Sequence, residues 1–204
     1  YEHRIVGDFA ITNIGKEHLE GFGNLEGVKQ AEGELYRHLA DHDGCVFVNE
    51  AEKYLRSMTR RNKKKIQYGP ADTLHPNDSR IDIQCVHENP FLEVAFLSDG
   101  DHQRVTVNTR LYGTHNFHNI ATAIALGVYF KVPAAKIKAA LETYTPANNR
   151  SQWLQRGSNT ILLDAYNANP SSMRPALDSL KKINAKHKVA ILGDMLELGA
   201  ESEA

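Results

Sequence analysis

Residues 8–49 read DFAITNIGKEHLEGFGNLEGVKQAEGELYRHLADHDGCVFVN, and this stretch decides the fold. It opens on a short apolar run over 8–14 that passes through Thr12-Asn13-Ile14-Gly15 into a polar, glycine-rich segment. That is the pattern of a buried strand running into a loop. Leu25, Val28, Leu35 and Leu39 then recur at helical spacing and predict an amphipathic helix over 25–39. Cys45-Val46-Phe47-Val48 predicts a second buried strand within 44–49, and 50–61 reads as another helix. Strand, loop, helix, strand and helix in this order imply an α/β fold built on a parallel, doubly wound sheet.

Outward from that stretch the pattern changes. Residues 66–112 carry apolar runs at 81–86, 91–97 and 104–108, separated by the turn signals Glu88-Asn89-Pro90 and Ser98-Asp99-Gly100-Asp101. They predict antiparallel strands flanking the mostly parallel sheet. Helices follow over 116–130 and 133–144, and Pro146-Ala147-Asn148-Asn149 is the best linker. Beyond it, a strand over 160–164, a helix over 170–183 and a strand over 188–192 form a second βαβ pattern. The expected division is therefore 1–146 for the first domain and 147–204 for the start of a Rossmann-like α/β domain. The one charge run, Arg60-Arg61-Asn62-Lys63-Lys64-Lys65, reads as a solvated helix end.

Composition narrows the function classes. The 204 residues are 41% hydrophobic and 24% charged, with a net charge of −1, so no basic field points to nucleic acid or an acidic membrane surface. No apolar run approaches the ~20 residues that span a bilayer, and no signal peptide opens the chain; membrane insertion is not expected and a cytoplasmic location is. Cys45 and Cys85 both lie in apolar strand-like runs without a metal-ligand neighbour, so buried free thiols are expected. The chain opens on Tyr1 and stops at Glu201-Ser202-Glu203-Ala204, which reads as a helix start, so a fragment of a longer protein is expected.

Glu32 is the most informative single residue. At about 100° per residue it falls within roughly 25–30° of the middle of the Leu25, Val28, Leu35 and Leu39 stripe. A carboxylate there is either buried and paired or faces a cavity that holds something positive, whether Lys, Arg or a metal cation. His18, in the loop after the first strand, is either a surface histidine or a companion to Glu32 around a divalent cation. Asn116 and Asn119, three apart at a helix start, share a face. Their carboxamides suit the N6/N7 edge of adenine, while Thr114 or Asn116 could equally cap the helix. Asp164, at the end of a strand, could accept hydrogen bonds from ribose hydroxyls, and Arg150 could pair with phosphate.

Together these segments resemble the Mur ligase family. The resemblance rests on Ile11-Thr12-Asn13-Ile14-Gly15-Lys16-Glu17-His18-Leu19-Glu20, Gly33-Glu34-Leu35, His115–Asn119, Asn149-Arg150-Ser151-Gln152, 163–170 and Ile191-Leu192-Gly193-Asp194-Met195-Leu196-Glu197-Leu198-Gly199. It covers nearly the whole chain in order. The last two stretches point to the branch that adds D-alanyl-D-alanine to UDP-N-acetylmuramoyl-tripeptide in peptidoglycan precursor synthesis. The resemblance implies an ATP- and Mg²⁺-dependent ligase that activates a carboxylate as an acyl phosphate and lets an amine attack it. It further implies His18 and Glu32 at a metal, Asn116 and Asn119 at adenine, Asp164 at ribose and Arg150 at phosphates. Tyr166 and Asn167 would line the nucleotide edge of an interdomain cleft.

Two departures qualify the expectation. Where this chain has Glu32, the family usually has a lysine, often carbamylated; Glu32 brings the same charge on a shorter arm. Lys29 is no substitute, because it projects about 85° from the stripe centre. The Gly-rich phosphate loop ending Gly-Lys-Ser/Thr is not in this sequence, so the 204 residues alone are expected not to turn over. Two competing readings are a non-catalytic nucleotide-binding module on the same fold and a related ligase such as a folylpolyglutamate synthetase. The 164–170 and 194–199 stretches argue against the latter.

Overall fold

The computed structural model describes residues 7–16, 18–70, 80–88, 90–97, 103–195 and 198. The sequence readings at Glu17, Asn89, 98–101, 196–197, 199 and 201–204 lie outside those residues.

Six strands form one sheet: β1 (Asp8–Ala10), β2 (Cys45–Asn49), β3 (Lys64–Gly69), β4 (Arg80–His87), β5 (Phe91–Leu97) and β6 (Arg104–Tyr112), neighbours in chain order. β1 to β4 pair in parallel, and β4, β5 and β6 pair antiparallel, which is the expected mostly parallel sheet with an antiparallel flank. Between β1 and β2 lie α1 (Leu19–Phe22) and α2 (Leu25–Asp41), and α3 (Lys53–Met58) joins β2 to β3. α4 (Asn116–Tyr129) and α5 (Ala134–Thr143) follow β6.

Every residue of β2 is buried, as a strand covered on both faces must be. Alternation sends Val46 and Val48 toward Val28 and Leu39 of α2 and Leu55 of α3, while Phe47 packs with Ile120 and Ile124 of α4. Helices therefore cover both faces, but among the described residues the strand order never reverses. The second face is covered by helices that follow the antiparallel strands, not by a doubly wound crossover.

α2 starts where Asn24 accepts a 3.0 Å hydrogen bond from the Gly27 N–H, supplying one of the acceptors that a helix start needs. Its stripe splits along its length. Val28 and Leu39 are buried against the sheet, whereas Leu25 and Leu35 are half-buried and Glu32 is exposed. Lys29 turns away, 2.5 Å from Glu26 and 3.9 Å above the Tyr54 ring.

Four expectations change. The charge run is not a helix end, because α3 stops at Met58 and Lys64 and Lys65 already belong to β3. Asn62, inside the run, is buried with its amide on the Tyr36 carbonyl at 2.9 Å, and Lys64 pairs with Asp43 at 2.7 Å. Cys45 is buried, but Cys85 is exposed, near the end of β4 where the ladder shifts register between Cys85 and His87.

Beyond residue 151, β7 (Gln152–Arg156) and β8 (Asn159–Leu163) form an antiparallel hairpin instead of β8 opening a βαβ unit. The two residues between them are Gly157, at φ +57, and Ser158, a common tight-turn pairing. The helix that follows, α6 (Pro170–Lys182), opens on a capping box between Asn169 and Ser172 with Pro170 in its first turn. The strand expected over 188–192 does not form. Val189 and Ile191 stand 81% and 93% exposed, and no strand among the described residues lies beside them to complete a ladder.

Candidate functional site

A cavity of about 1230 Å³ opens where the parallel strands end. One wall is the 10–15 segment leaving β1, with His18, Glu32 and Glu52 close by. Opposite are Thr114, His115, Asn116, His118 and Asn119 at the start of α4. The third side comes from the C-terminal segment, with Arg150, Ser151, Asp164, Tyr166, Asn167 and the first turn of α6. All eight residues singled out from sequence, His18, Glu32, Asn116, Asn119, Arg150, Asp164, Tyr166 and Asn167, line this one cavity. Open α/β sheets place ligands at this end of their strands, where loops supply polar groups on a rigid base.

Glu32 therefore faces the cavity and is not a buried, salt-bridged carboxylate: the part of the α2 stripe that would meet the sheet opens onto this space. His18 sits at φ +53 just before α1, with its carbonyl accepting from the Gly21 and Phe22 N–H groups at 3.0 Å. That left-handed turn carries the chain from β1 around the cavity into the helices. Among the described residues no three His, Cys, Asp or Glu side chains gather closely enough to hold a metal ion by themselves.

The α4 entrance is tightly organised. Neither Thr114 nor Asn116 caps the helix; His115 occupies the cap position without a side-chain cap bond. Asn116 is buried, and its Nδ2 donates to the Tyr112 carbonyl at 2.7 Å. Asn119 donates from Nδ2 to Asn116 Oδ1 at 3.3 Å, so the two carboxamides do share a face. With Asn116 engaged at both ends, the exposed Asn119 is the freer of the two to meet a ligand. His118, which sequence reasoning passed over, receives Asn49 Nδ2 at Nδ1 (2.9 Å), while Asn49 Oδ1 accepts from the Ala51 N–H. That contact fixes the His118 ring at the cavity edge.

His115 is held more tightly still. Its Nε2 lies 2.9 Å from Ser151 Oγ and 3.2 Å from Asn116 Nδ2, and its Nδ1 is buried without a partner. The ring occupies space that only glycine leaves open: a Cβ on Gly113, at φ +87, would sit 2.5 Å from Cε1. Burial pushes the His115 pKa below the usual imidazole value, Asp164 pulls it back up, and His118 adds to the lowering.

On the C-terminal side, Arg150 Cζ lies over the Tyr166 ring, 3.8 Å from its centroid. The Ser151 N–H donates to Asp164 Oδ1 at 3.0 Å, and the Ala165 N–H to the Asn149 carbonyl at 2.7 Å. The Lys16 N–H donates to Ser171 Oγ at 3.1 Å, joining the loop after β1 to the first turn of α6. Trp153 of β7 packs its ring against Phe91 (5.4 Å) and Tyr112 (5.5 Å) of the large sheet. The cavity is thus a seam between two regions. The contacts across it among the described residues include this aromatic cluster, Leu198 against the α2–β2 core, the Lys182–Glu88 pair and a few hydrogen bonds. The resemblance implied a cleft at this place, lined by Tyr166 and Asn167. What sequence reasoning missed is the β7–β8 hairpin, of which the Gly157-Ser158 turn was a usable sign.

Family models match two stretches of the chain. Residues 8–127 match the Mur ligase middle domain and residues 149–204 the Mur ligase glutamate ligase domain. The UDP-N-acetylmuramoyl-tripeptide–D-alanyl-D-alanine ligase of Haemophilus influenzae is 32% identical over 95% of this chain and 41% of its own length. The enzyme of the same name from Escherichia coli is 30% identical over 95% of this chain and 42% of its own. Among solved structures, MurF from Acinetobacter baumannii superposes with a TM-score of 0.75 at 27% identity, covering 96% of this chain and 41% of that one. The chain spans about two fifths of the length of these relatives. The match of the middle-domain model to more than half of the residues decides the family: this chain belongs to the Mur ligases.

Proposed function

We propose that the protein carrying this chain is an ATP-dependent ligase that joins D-alanyl-D-alanine to UDP-N-acetylmuramoyl-tripeptide, a cytoplasmic step of peptidoglycan precursor synthesis. Residues 1–146 would be the central ATP-binding domain and 147–204 the start of the C-terminal domain. The observation that carries the reading is the gathering of all eight residues singled out from the sequence around one cavity at the strand ends. Relatives about 30% identical bear that activity in their names, and a Thermotoga maritima MurF of the same fold was solved with ADP.

In this reading Asn119 meets adenine, with Asn116 holding it in place. Asp164 accepts from the ribose hydroxyls, Arg150 reaches the phosphates, and Tyr166 and Asn167 line the nucleotide's edge. Arg150 is prepared for that role, since its cation–π contact with Tyr166 limits the freedom it would lose on binding. Glu32 would supply the carboxylate oxygen that Mg²⁺ prefers, with water and phosphate oxygens completing its shell, and His18, which lines the same cavity, would stand beside it. Bound there, Mg²⁺ would neutralise charge on the phosphates and the activated carboxylate. Glu32 carries its negative charge without modification, where a lysine in the family needs carbamylation to gain one.

The test is turnover by the full-length protein. With ATP, the muramoyl tripeptide and D-alanyl-D-alanine, one phosphate should be released per amide formed. A folded protein with an intact phosphate loop and no product would instead favour a non-catalytic nucleotide-binding module. A magnesium titration of the Glu32→Ala and Glu32→Lys proteins should show a raised magnesium requirement in both. Wild-type magnesium dependence in both variants would remove Glu32 from the metal site.

A further inference from the structure

The turn at 149–151 is costly backbone held in place by its neighbours. Asn149 sits at φ +58 and Ser151 at φ +47. Asparagine tolerates that region, but serine gains little from it and each such residue costs on the order of 1 kcal/mol. Three contacts hold the turn: Ala165 N–H to the Asn149 carbonyl, Ser151 N–H to Asp164 Oδ1, and Ser151 Oγ to His115 Nε2. Ser151 is itself buried, at 3% exposure.

Ser151 Oγ and His115 Nε2 form a 2.9 Å hydrogen bond whose donor depends on the ring tautomer. Asn116 Nδ2, which donates to the Tyr112 carbonyl, lies 3.2 Å from the same ring nitrogen. The hydroxyl thus ties the turn to a ring that Gly113 and α4 already hold rigidly. The same residue's N–H orients the carboxylate of Asp164, leaving that group's remaining lone pairs for a ligand in the cavity.

We propose that Ser151 is a positioning residue for ribose recognition: its hydroxyl anchors the turn to His115, so that its N–H presents Asp164 to the ribose hydroxyls of a bound nucleotide. The inference rests on the nucleotide reading above.

The experiment is calorimetric titration of the full-length protein with ADP and with 2′,3′-dideoxy-ADP, in magnesium, for wild type, Ser151→Ala, Ser151→Gly and Asp164→Asn. Losing one hydrogen bond that acts through Asp164 should weaken ADP binding about three- to tenfold in Ser151→Ala. The loss for the dideoxy nucleotide should be less than about twofold, because it lacks the hydroxyls that Asp164 meets. Asp164→Asn should show the same ribose dependence. Ser151→Gly, which relieves the backbone strain but also lacks the hydroxyl, should behave like Ser151→Ala.

Equal losses for both nucleotides, or wild-type affinity in Ser151→Gly, would overturn the positioning role. A loss in Asp164→Asn with none in Ser151→Ala would overturn it while leaving the nucleotide reading intact. Failure of the wild-type protein to bind ADP would overturn both.

Discussion

In the six-stranded sheet, β2 is buried along its whole length between two apolar clusters, whereas in α6 of the C-terminal segment only Ser179 is buried. The sheet is held by side chains from six strands and the helices on both faces. The β7–β8 hairpin and α6 rest on it through Trp153 and a few polar contacts, among them the 2.7 Å Lys182–Glu88 pair at the surface. Both regions line the same cavity, so one wall of the site is rigid by packing and the other is placed by a handful of contacts. Ligand-binding parts of proteins are commonly drawn from such low-stability regions. The difference assigns roles: the sheet sets where the site is, and the seam sets how its nucleotide-facing residues are aimed.

The contrast is best broken from the sheet side. Phe47→Ala removes a fully buried ring from the larger cluster and its edge contact with Tyr129, and should cost about 3–5 kcal/mol in denaturant unfolding. A loss below about 1 kcal/mol would mean that the sheet is not the supporting body. Trp153→Ala should cost less, about 2 kcal/mol, because Trp153 is only half-buried. Its signature is spatial: hydrogen exchange should rise over residues 152–163 while β2 stays protected. Equal acceleration in both places would show that the two regions unfold as one.

The smallest effect is on pH. The folded protein holds His115 below its ordinary pKa of 6.5, chiefly through burial. Between the two values the unfolded chain binds more protons, so this contribution is complete above about pH 6.5 and is lost as pH falls through the folded value. Unfolding measured from pH 8 down to 5 should show that decline, and His115→Gln should flatten it. An unchanged slope in the variant would remove His115 as its source.

Much of this was legible in the residues. The apolar run of β2 and the periodicity of α2 gave the core layers. Helix geometry singled out Glu32 as either buried and paired or facing a cavity, of which the structure shows the second. Spacing and strand-end position picked out Asn116, Asn119, His18 and Asp164 only weakly. The resemblance gave them and Arg150 their roles, since nothing local distinguishes Asp164 or Arg150 from ordinary loop polar groups. β3 was hidden because its first two residues are lysines, which on a partly exposed strand keep their charges in water. The 188–192 run has strand composition but no neighbouring strand among the described residues, and a strand exists only by pairing. His115 and Ser151 stood inside quoted motifs without a role of their own, because that role depends on a long-range contact and two positive φ values, which no local pattern announces.

The central claim is that both walls of the cavity grip one nucleotide. It is tested most directly by ADP titration of the wild-type protein beside Asn119→Ala, from the rigid wall, and Asp164→Asn, from the seam. Binding that weakens about fivefold or more in each variant is the predicted result. Wild-type affinity in either one would contradict it.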